Sequence, residues 1–367
     1  MTNKVSRELL QLSKQMQFLS EQIKQRKKFM KFISNVLIAG FATFAFVSTA
    51  SAETNMVISS WLPPSHIMNE IIWPEFIKRI DTATEGRVKG KIQYNLASPP
   101  AQADLIEDGG ADAAWIFHGY NPGRFVTTKL IEIPGLEGDS EAASAAHWRA
   151  HEQFLGKVNE HDGVVPVAMI VHAPGMLHLS KEISSLEEVS GLRIRSGGGV
   201  MGDVLKGLDI AVVQVSAPKV YEAVASGVVD GAFFPGDTIA ILRITEVLPY
   251  TYKVPGGFYR GSLSIIMNKK FLDSIGEEDA KAINAVLGEE FSAFAGRAFD
   301  EGNQRGIDAQ SKTGKIIDLE GDASAKFEAL VPQIQKSVIK EVSAKGVNAD
   351  AALKLIRDTM DEYSKKL

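Results

Sequence analysis

The chain has 367 residues, 45% hydrophobic and 23% charged, with 40 Lys and Arg against 45 Asp and Glu, for a net charge of −5. Without cysteine it has no disulfide framework, thiolate chemistry or cysteine-based metal site. The acidic balance argues against nucleic acid and anionic membranes as partners.

Residues 1–52 stand apart. Met1–Phe29 is polar and basic, with Arg26-Lys27-Lys28 ahead of Phe32–Val47, a run apolar except for Ser34, Asn35 and Thr43. Ala50-Ser51-Ala52 follows. A basic start, a short apolar core and small residues form a secretory signal, with cleavage expected after Ala52. The run is short for a membrane anchor, which needs about 20 residues. Residues 1–29 read as an extended signal start, as sequence upstream of a true start at Met30, or, third, as a cytoplasmic helix. Removing 1–52 leaves 32 basic and 43 acidic residues, a net of −11. The remaining length suits two domains.

The segment Met56–Trp61 reads as a strand, Ile67–Thr84 as an amphipathic helix in which Pro74 implies a kink or late start, and Val88–Leu96 as a second strand. Strand, helix, strand is the parallel α/β pattern. Trp61 and His66 follow a strand end, where a cleft would lie; packing for Trp61 and a capping or surface role for His66 are the alternatives. A helix from Ala103 to Gly109 and a strand at Ala111–Phe117 precede His118-Gly119-Tyr120-Asn121-Pro122-Gly123-Arg124-Phe125, a loop rich in turn formers. Ser140–Val158 is helical and carries His147 and His151 at i, i+4. They offer either a zinc pair, with His161 or a distant acid as third ligand, or a solvated face. Gly163–Val171 is a strand, and His172-Ala173-Pro174-Gly175 breaks it, as a first crossing between domains would. His172 and His178 line a cleft or serve structural roles.

The segment Gly191-Leu192-Arg193-Ile194-Arg195-Ser196-Gly197-Gly198-Gly199 leads into a helix at Val200–Lys206. A strand ending in Arg195, a glycine loop and the unpaired N–H groups of a helix start together make an anion site; a plain turn with a surface Arg is the alternative. The loop lacks the Gly-Lys-Ser/Thr of a nucleotide P-loop. Lys219–Gly227 reads as helix and stop, Val228–Asp237 as turn and buried strand. Two adjacent parallel strands would point their C-terminal ends at one crevice.

Gly-Leu-Arg-Ile-Arg, the glycine loop and Val-Tyr-Glu-Ala-Val-Ala-Ser-Gly-Val-Val-Asp-Gly resemble the periplasmic solute-binding proteins of TRAP transporters, receptors for ion-driven uptake of organic acids. The His118–Phe125 loop is similar to His-Gly-Tyr-x-Pro-Gly-Arg-Phe in one branch, and Asn268-Lys269 to the family's Met-Asn-Lys segment. The resemblance extends over most of the chain after residue 55. It implies a periplasmic location, a two-domain periplasmic-binding-protein-like α/β fold with a sheet in each lobe, hinge crossings and long C-terminal helices. It also implies that Arg195 binds a substrate carboxylate. Many relatives carry Asn where this chain has Phe234, which puts polar-substrate models in doubt.

Further elements are helices at Thr238–Glu246, Glu277–Gln310 (as one helix), Ala323–Ala344 and Ala351–Lys366, and strands starting at Tyr250 and at Ser262–Met267, the return crossing. The expected organisation is an N-terminal extension and signal (1–52), lobe I (53–173 plus about 263–300), lobe II (174–262 plus about 301–345) and a C-terminal helix (346–367). The expected ligand residues are Arg195, Tyr120, Phe234, Phe233, Trp61, Ser196, Gly197, His66, His178 and Arg124, with Phe258 or Tyr259 extending the aromatic wall. Hydroxyls at Tyr120 or Ser196 would read a 2-oxo or 2-hydroxy group.

The expected function is capture of a 2-oxo or 2-hydroxy monocarboxylate, aromatic or aliphatic, for delivery to membrane permease subunits. A dicarboxylate or sulfonate held by Arg124 as second clamp is the runner-up ligand. A ligand-sensing subunit and an exported enzyme are the other classes, and no nucleophile elbow, metal motif or paired acids support the enzyme. No cofactor, metal or nucleic acid is expected. A monomer is, with a helix-mediated dimer as alternative.

Overall fold

The computed structural model describes residues 2–42 and 53–365, which fall into two units, 1–52 and 53–367. In the first, Thr2–Ala42 is one helix, α1, with Leu9, Leu12, Met16, Phe18, Ile23 and Phe29 exposed. No helix among the described residues is long and apolar enough to cross a membrane. The cleavage point expected after Ala52 lies outside the described residues.

The second unit opens with β1 (Thr54–Ser60), a π-helical turn at Met68–Ile72, α2 (Trp73–Ala83) and β2 (Val88–Tyr94). Pro74 is the second residue of α2 and directly follows the π-helical turn, so the irregular turn lies where the proline has no N–H to donate to the preceding helix. The sequence shows one helix there because both turns bury the same face. There follow α3 (Gln102–Glu107), β3 (Ala113–Phe117), α4 (Lys129–Glu132), α5 (Ser140–Gln153) and β4 (Val164–Val171). The chain then builds a second sheet: β5 (Met176–Leu179), β6 (Arg193–Ser196), α6 (Val200–Gly207), β7 (Ala211–Gln214), α7 (Val220–Ala225), β8 (Gly231–Phe234), α8 (Gly236–Ile241) and β9 (Tyr250–Lys253). It returns as β10 (Ser262–Asn268) and continues through α9 (Lys269–Ser274), α10 (Glu277–Val286), α11 (Glu289–Thr313), β11 (Lys315–Asp318), α12 (Ala325–Ser343) and α13 (Ala349–Ser364).

The first sheet has the order β2-β1-β3-β10-β4 and the second β11-β9-β5-β8-β6-β7. Strands β1, β2 and β3 are parallel, and the returning β10 runs antiparallel between β3 and β4. Strands β7, β6 and β8 are parallel, so Arg195 lies beside Val213 and Ala232. The result is a two-lobe α/β fold of two mixed sheets flanked by helices. Helix α11 packs on β4 of one sheet and β11 of the other. Pro166 lies on β4, an edge strand, where a missing ladder donor is tolerated, and next to the register shift in β10.

The single helix expected over Glu277–Gln310 is two. Gly288 takes a φ of 75° that favours glycine, sits against Trp148, and donates to the Val167 carbonyl at 3.0 Å. The apolar pattern continues through the break because α10 and α11 both bury it. The short edge strands β7 and β11 carry no pattern of their own and are absent from the sequence reading.

Gly306 on α11 is pressed against the Gly236 carbonyl at the start of α8, and a Cβ there would collide with it. Gly306→Ala should destabilise the protein by about 1–3 kcal/mol, read as a lower denaturant midpoint with an unchanged slope. An unchanged midpoint would mean that α11 and α8 are not in such close contact.

Candidate functional site

A cavity lies between the two sheets. Its walls come from the C-terminal ends of β1, β3, β6 and β8 and the segments after them, where open α/β sheets bind ligands. Trp61 follows β1 and Tyr120 follows β3, Arg195 is on β6, Phe234 ends β8, and Asp237 lies in the first turn of α8.

Arg193 and Arg195 share a face of β6. Arg193, at the exposed end, pairs with Asp230 at 2.8 Å. Arg195, two residues deeper, is only 2% exposed and forms no ion pair among the described residues. Its Nε donates to the Val215 carbonyl at 2.8 Å, Nη1 to the Phe233 carbonyl at 3.0 Å and Nη2 to the Tyr120 hydroxyl at 3.3 Å. The guanidinium lies 4.0 Å from the centre of the Phe234 ring. Three of its five N–H groups are thus engaged, leaving one on each terminal nitrogen, the fork that suits a carboxylate. Burial lowers its pKa below the ordinary arginine value, offset in part by Tyr120 and Tyr259.

The aromatic wall is ordered. Trp61 and Trp115 stack with centroids 4.0 Å apart and 8° between planes, and Trp61 Nε1 donates to the Trp115 carbonyl. Tyr120 meets Trp61 edge-on at 5.9 Å. Its oxygen accepts from Arg195 and from the Ala217 N–H at 2.9 Å, so it ties the two lobes together. His66 Nδ1 accepts from the Met68 N–H, so Nε2 carries the proton and donates to Asp237 Oδ2 at 3.2 Å. His172 lines the cavity with Nδ1 donating to the Ala173 carbonyl; burial pushes it down to about 4, so it is neutral.

Of the residues expected at the site, Arg195, Tyr120, Phe234, Trp61 and His66 meet around this cavity, and Phe233, Ser196, Gly197, His178 and Arg124 do not line it. Phe233 alternates to the other face of β8 and stacks on Phe258 and Tyr259, so it offers Arg195 a carbonyl rather than a ring. His178 is inside the second sheet, bonded to Thr251 and the Phe234 carbonyl. Arg124 binds Asp104 at 3.2 Å and the Asp162 carbonyl at 3.1 Å and fastens its loop to α3 and to the turn before β4.

The glycine loop is also corrected. The anion at the start of α6 is the protein's own Glu132, whose Oε2 accepts the Val200 N–H at 2.9 Å while Oε1 accepts the Ser262 hydroxyl at 2.5 Å. Burial raises the Glu132 pKa. Ser196 Oγ accepts the Gly198 N–H and Gly197 N–H points at the Met201 sulfur, so both serve the loop. The glycines are needed because the Gly198 and Gly119 backbones touch across the lobes, with no room for a Cβ on either.

Sequence reasoning missed Trp115, Phe117 and Asp237. Trp115 and Phe117 alternate on a recognised strand that ends at the cleft, and Asp237 follows the Pro-Gly end of another, so position alone could have flagged them. The zinc reading finds no support: His147, His151, His161 and His118 do cluster, but no group of three among the described residues can hold a metal. Nor is this a solvated face. Burial pushes His147 and His161 down to about 3 and His151 to about 4, so the cluster is neutral packing.

The family model for bacterial extracellular solute-binding protein, family 7 (DctP) matches residues 58–341, and the chain belongs to that family, the periplasmic receptors of TRAP transporters. It is a binding receptor and not an enzyme. It is 25% identical over 332 residues, 89% of this chain and 98% of the other, to the outer membrane transporter protein TsaT of Comamonas testosteroni. A TRAP periplasmic solute-binding protein from Bordetella bronchiseptica, solved with (R)- and (S)-mandelate, superposes with a TM-score of 0.82 at 26% identity, over 84% of this chain and 99% of that one. A marine metagenome TRAP receptor specific for aromatic acids, solved with 3-hydroxybenzoate, gives 0.79 at 25%, over 85% and 99%.

Glu132 does not line the cavity, yet it fastens α6 to β10 across the lobes. Glu132→Ala leaves buried donors unpaired at a cost of about 1–3 kcal/mol each. It should therefore weaken ligand binding by roughly tenfold or more, measured by calorimetry, without touching the ligand. Parent-like affinity would show that this fastening does not govern closure.

Proposed function

We propose that this receptor captures a small aromatic monocarboxylate and hands it to TRAP membrane permease subunits. The carboxylate takes the two free N–H groups of Arg195, and the ring lies against Trp61, Phe117, Tyr120 and Phe234. The observation that carries this reading is the buried Arg195 guanidinium with no acid beside it. An unpaired buried charge is costly, and a ligand carboxylate would relieve that cost. The relatives with mandelate and 3-hydroxybenzoate support the aromatic class. A dicarboxylate is disfavoured because Arg124 is spent on Asp104 and the Asp162 carbonyl, away from the cavity.

The lobe boundaries given above belong to the same proposal, with hinges at His172–Gly175 and Tyr259–Leu263 and closure around the ligand. So do the cleavable signal and the monomeric state. Protein recovered from the periplasm should begin at Glu53 by N-terminal sequencing; a chain starting at Met1 in the membrane fraction would defeat the signal reading.

Arg195→Ala removes one partner of a desolvated pair, a loss of about 2–5 kcal/mol. Affinity for mandelate or benzoate, followed by calorimetry, should fall by roughly thirty-fold to several thousand-fold with the fold intact. Arg195→Lys keeps the charge without the planar fork and should fall between. Arg124→Ala should bind like the parent. Parent-like binding by Arg195→Ala would refute the clamp.

A further inference from the structure

A cavity that recognised only a carboxylate and a ring would have no use for an acid in its wall. Asp237 is such an acid, 3% exposed, in the first turn of α8. Its Oδ2 is fully occupied, accepting from His66 Nε2 at 3.2 Å and from the Thr238 hydroxyl at 3.0 Å. Its Oδ1 is buried and has no hydrogen-bond partner among the described residues. No Lys or Arg among them pairs with it, so the Arg195 charge is left for another anion.

A carboxylate oxygen can only accept, and leaving it buried without a donor is costly. The Tyr259 hydroxyl, also in the wall and also without a partner, can donate or accept a hydrogen bond and so sets no requirement by itself. Asp237 does set one. His66 and Thr238 fix its orientation from behind, and one free oxygen matches a group with one proton to give.

We propose that Asp237 Oδ1 determines specificity by accepting a hydrogen bond from a hydroxyl on the body of the bound aromatic acid. The cavity then has a polarity: carboxylate at Arg195, hydroxyl at Asp237. It selects hydroxylated aromatic monocarboxylates over their unsubstituted parents and rejects acids whose second carboxylate would face Asp237. This rests on the aromatic-acid reading above and adds the group that the ring or its side chain must carry.

Calorimetry of the purified receptor with phenylacetate, mandelate, the three hydroxyphenylacetates and phenylmalonate tests it. At least one hydroxylated acid should bind about ten- to a hundredfold tighter than phenylacetate, and phenylmalonate should bind more weakly than phenylacetate. In Asp237→Ala the hydroxyl advantage should shrink to within about threefold, while phenylacetate still binds, which shows the cavity intact. Asp237→Asn, the same shape without the charge, should lose the penalty against phenylmalonate.

Parent protein that binds phenylacetate as tightly as every hydroxylated acid overturns the role of Asp237 and leaves the receptor reading standing. So does a hydroxyl advantage that survives in Asp237→Ala. The parent series decides alone if the variants do not fold. Parent protein that binds none of these acids overturns the aromatic-acid reading, and this inference with it.

Discussion

A guanidinium buried without an acid beside it sets the terms for the rest of the molecule. Arg195 is kept in place by carbonyls rather than by a counter-charge. Val215, just past β7, and Phe233, on β8, flank β6 on its two sides and each supply one. The parallel order of these strands is therefore what aims the fork. Carbonyl dipoles orient a cation and lower its cost, but they do not neutralise it. The remaining demand for negative charge points into the space between the lobes, where Tyr120 from the other lobe completes the cage.

A second positive feature lies beside the first, and the protein fills it itself. The start of α6 has free N–H groups and the positive end of a helix, and Glu132 reaches across the lobes to occupy it. Had that end stayed open, a ligand carboxylate would have had two competing seats. With Glu132 in one, only the Arg195 fork is left, and the glycine loop becomes a contact surface. Gly119 and Gly198 meet backbone to backbone, so peptide groups of the two lobes lie directly against each other.

Much of this was legible in the chain. The strand, loop and helix around Arg195 have a pattern of their own, as do β1, β3 and β4, whose apolar runs report burial. The residues that failed did so for identifiable reasons. Phe233 and Phe234 are equally apolar and equally buried, and only the register of β8 decides which ring faces the cavity. His178 and His66 read alike as histidines next to strands, yet one is spent on Thr251 and the other faces the site. The partner of the α6 N-terminus is 68 residues away in sequence, and no local pattern reports a contact at that distance. Asp237 sits just past the Pro-Gly end of β8, a position that marks it, but only its packing against His66 and Thr238 shows that its carboxylate turns to the cavity.

The ring of Phe234 acts both on the buried cation and on the space around it. The resemblance places Asn here in many relatives, a group able to bond the ligand. Phe234 instead puts its ring face 4.0 Å from the guanidinium. Such a contact stabilises the buried cation by about 0.5–2 kcal/mol without using any of its N–H groups. It also removes a polar partner from the ligand's surroundings. Trp61, Trp115, Phe117 and Tyr120 bring further apolar surface to the same space, so most of a bound ligand would meet rings and its polar atoms would meet few partners. In such a site hydrophobic burial gives affinity to any acid of the right size, because that term is non-directional. Discrimination must then come from the few polar atoms left in the wall, where an unmatched group is paid for in full.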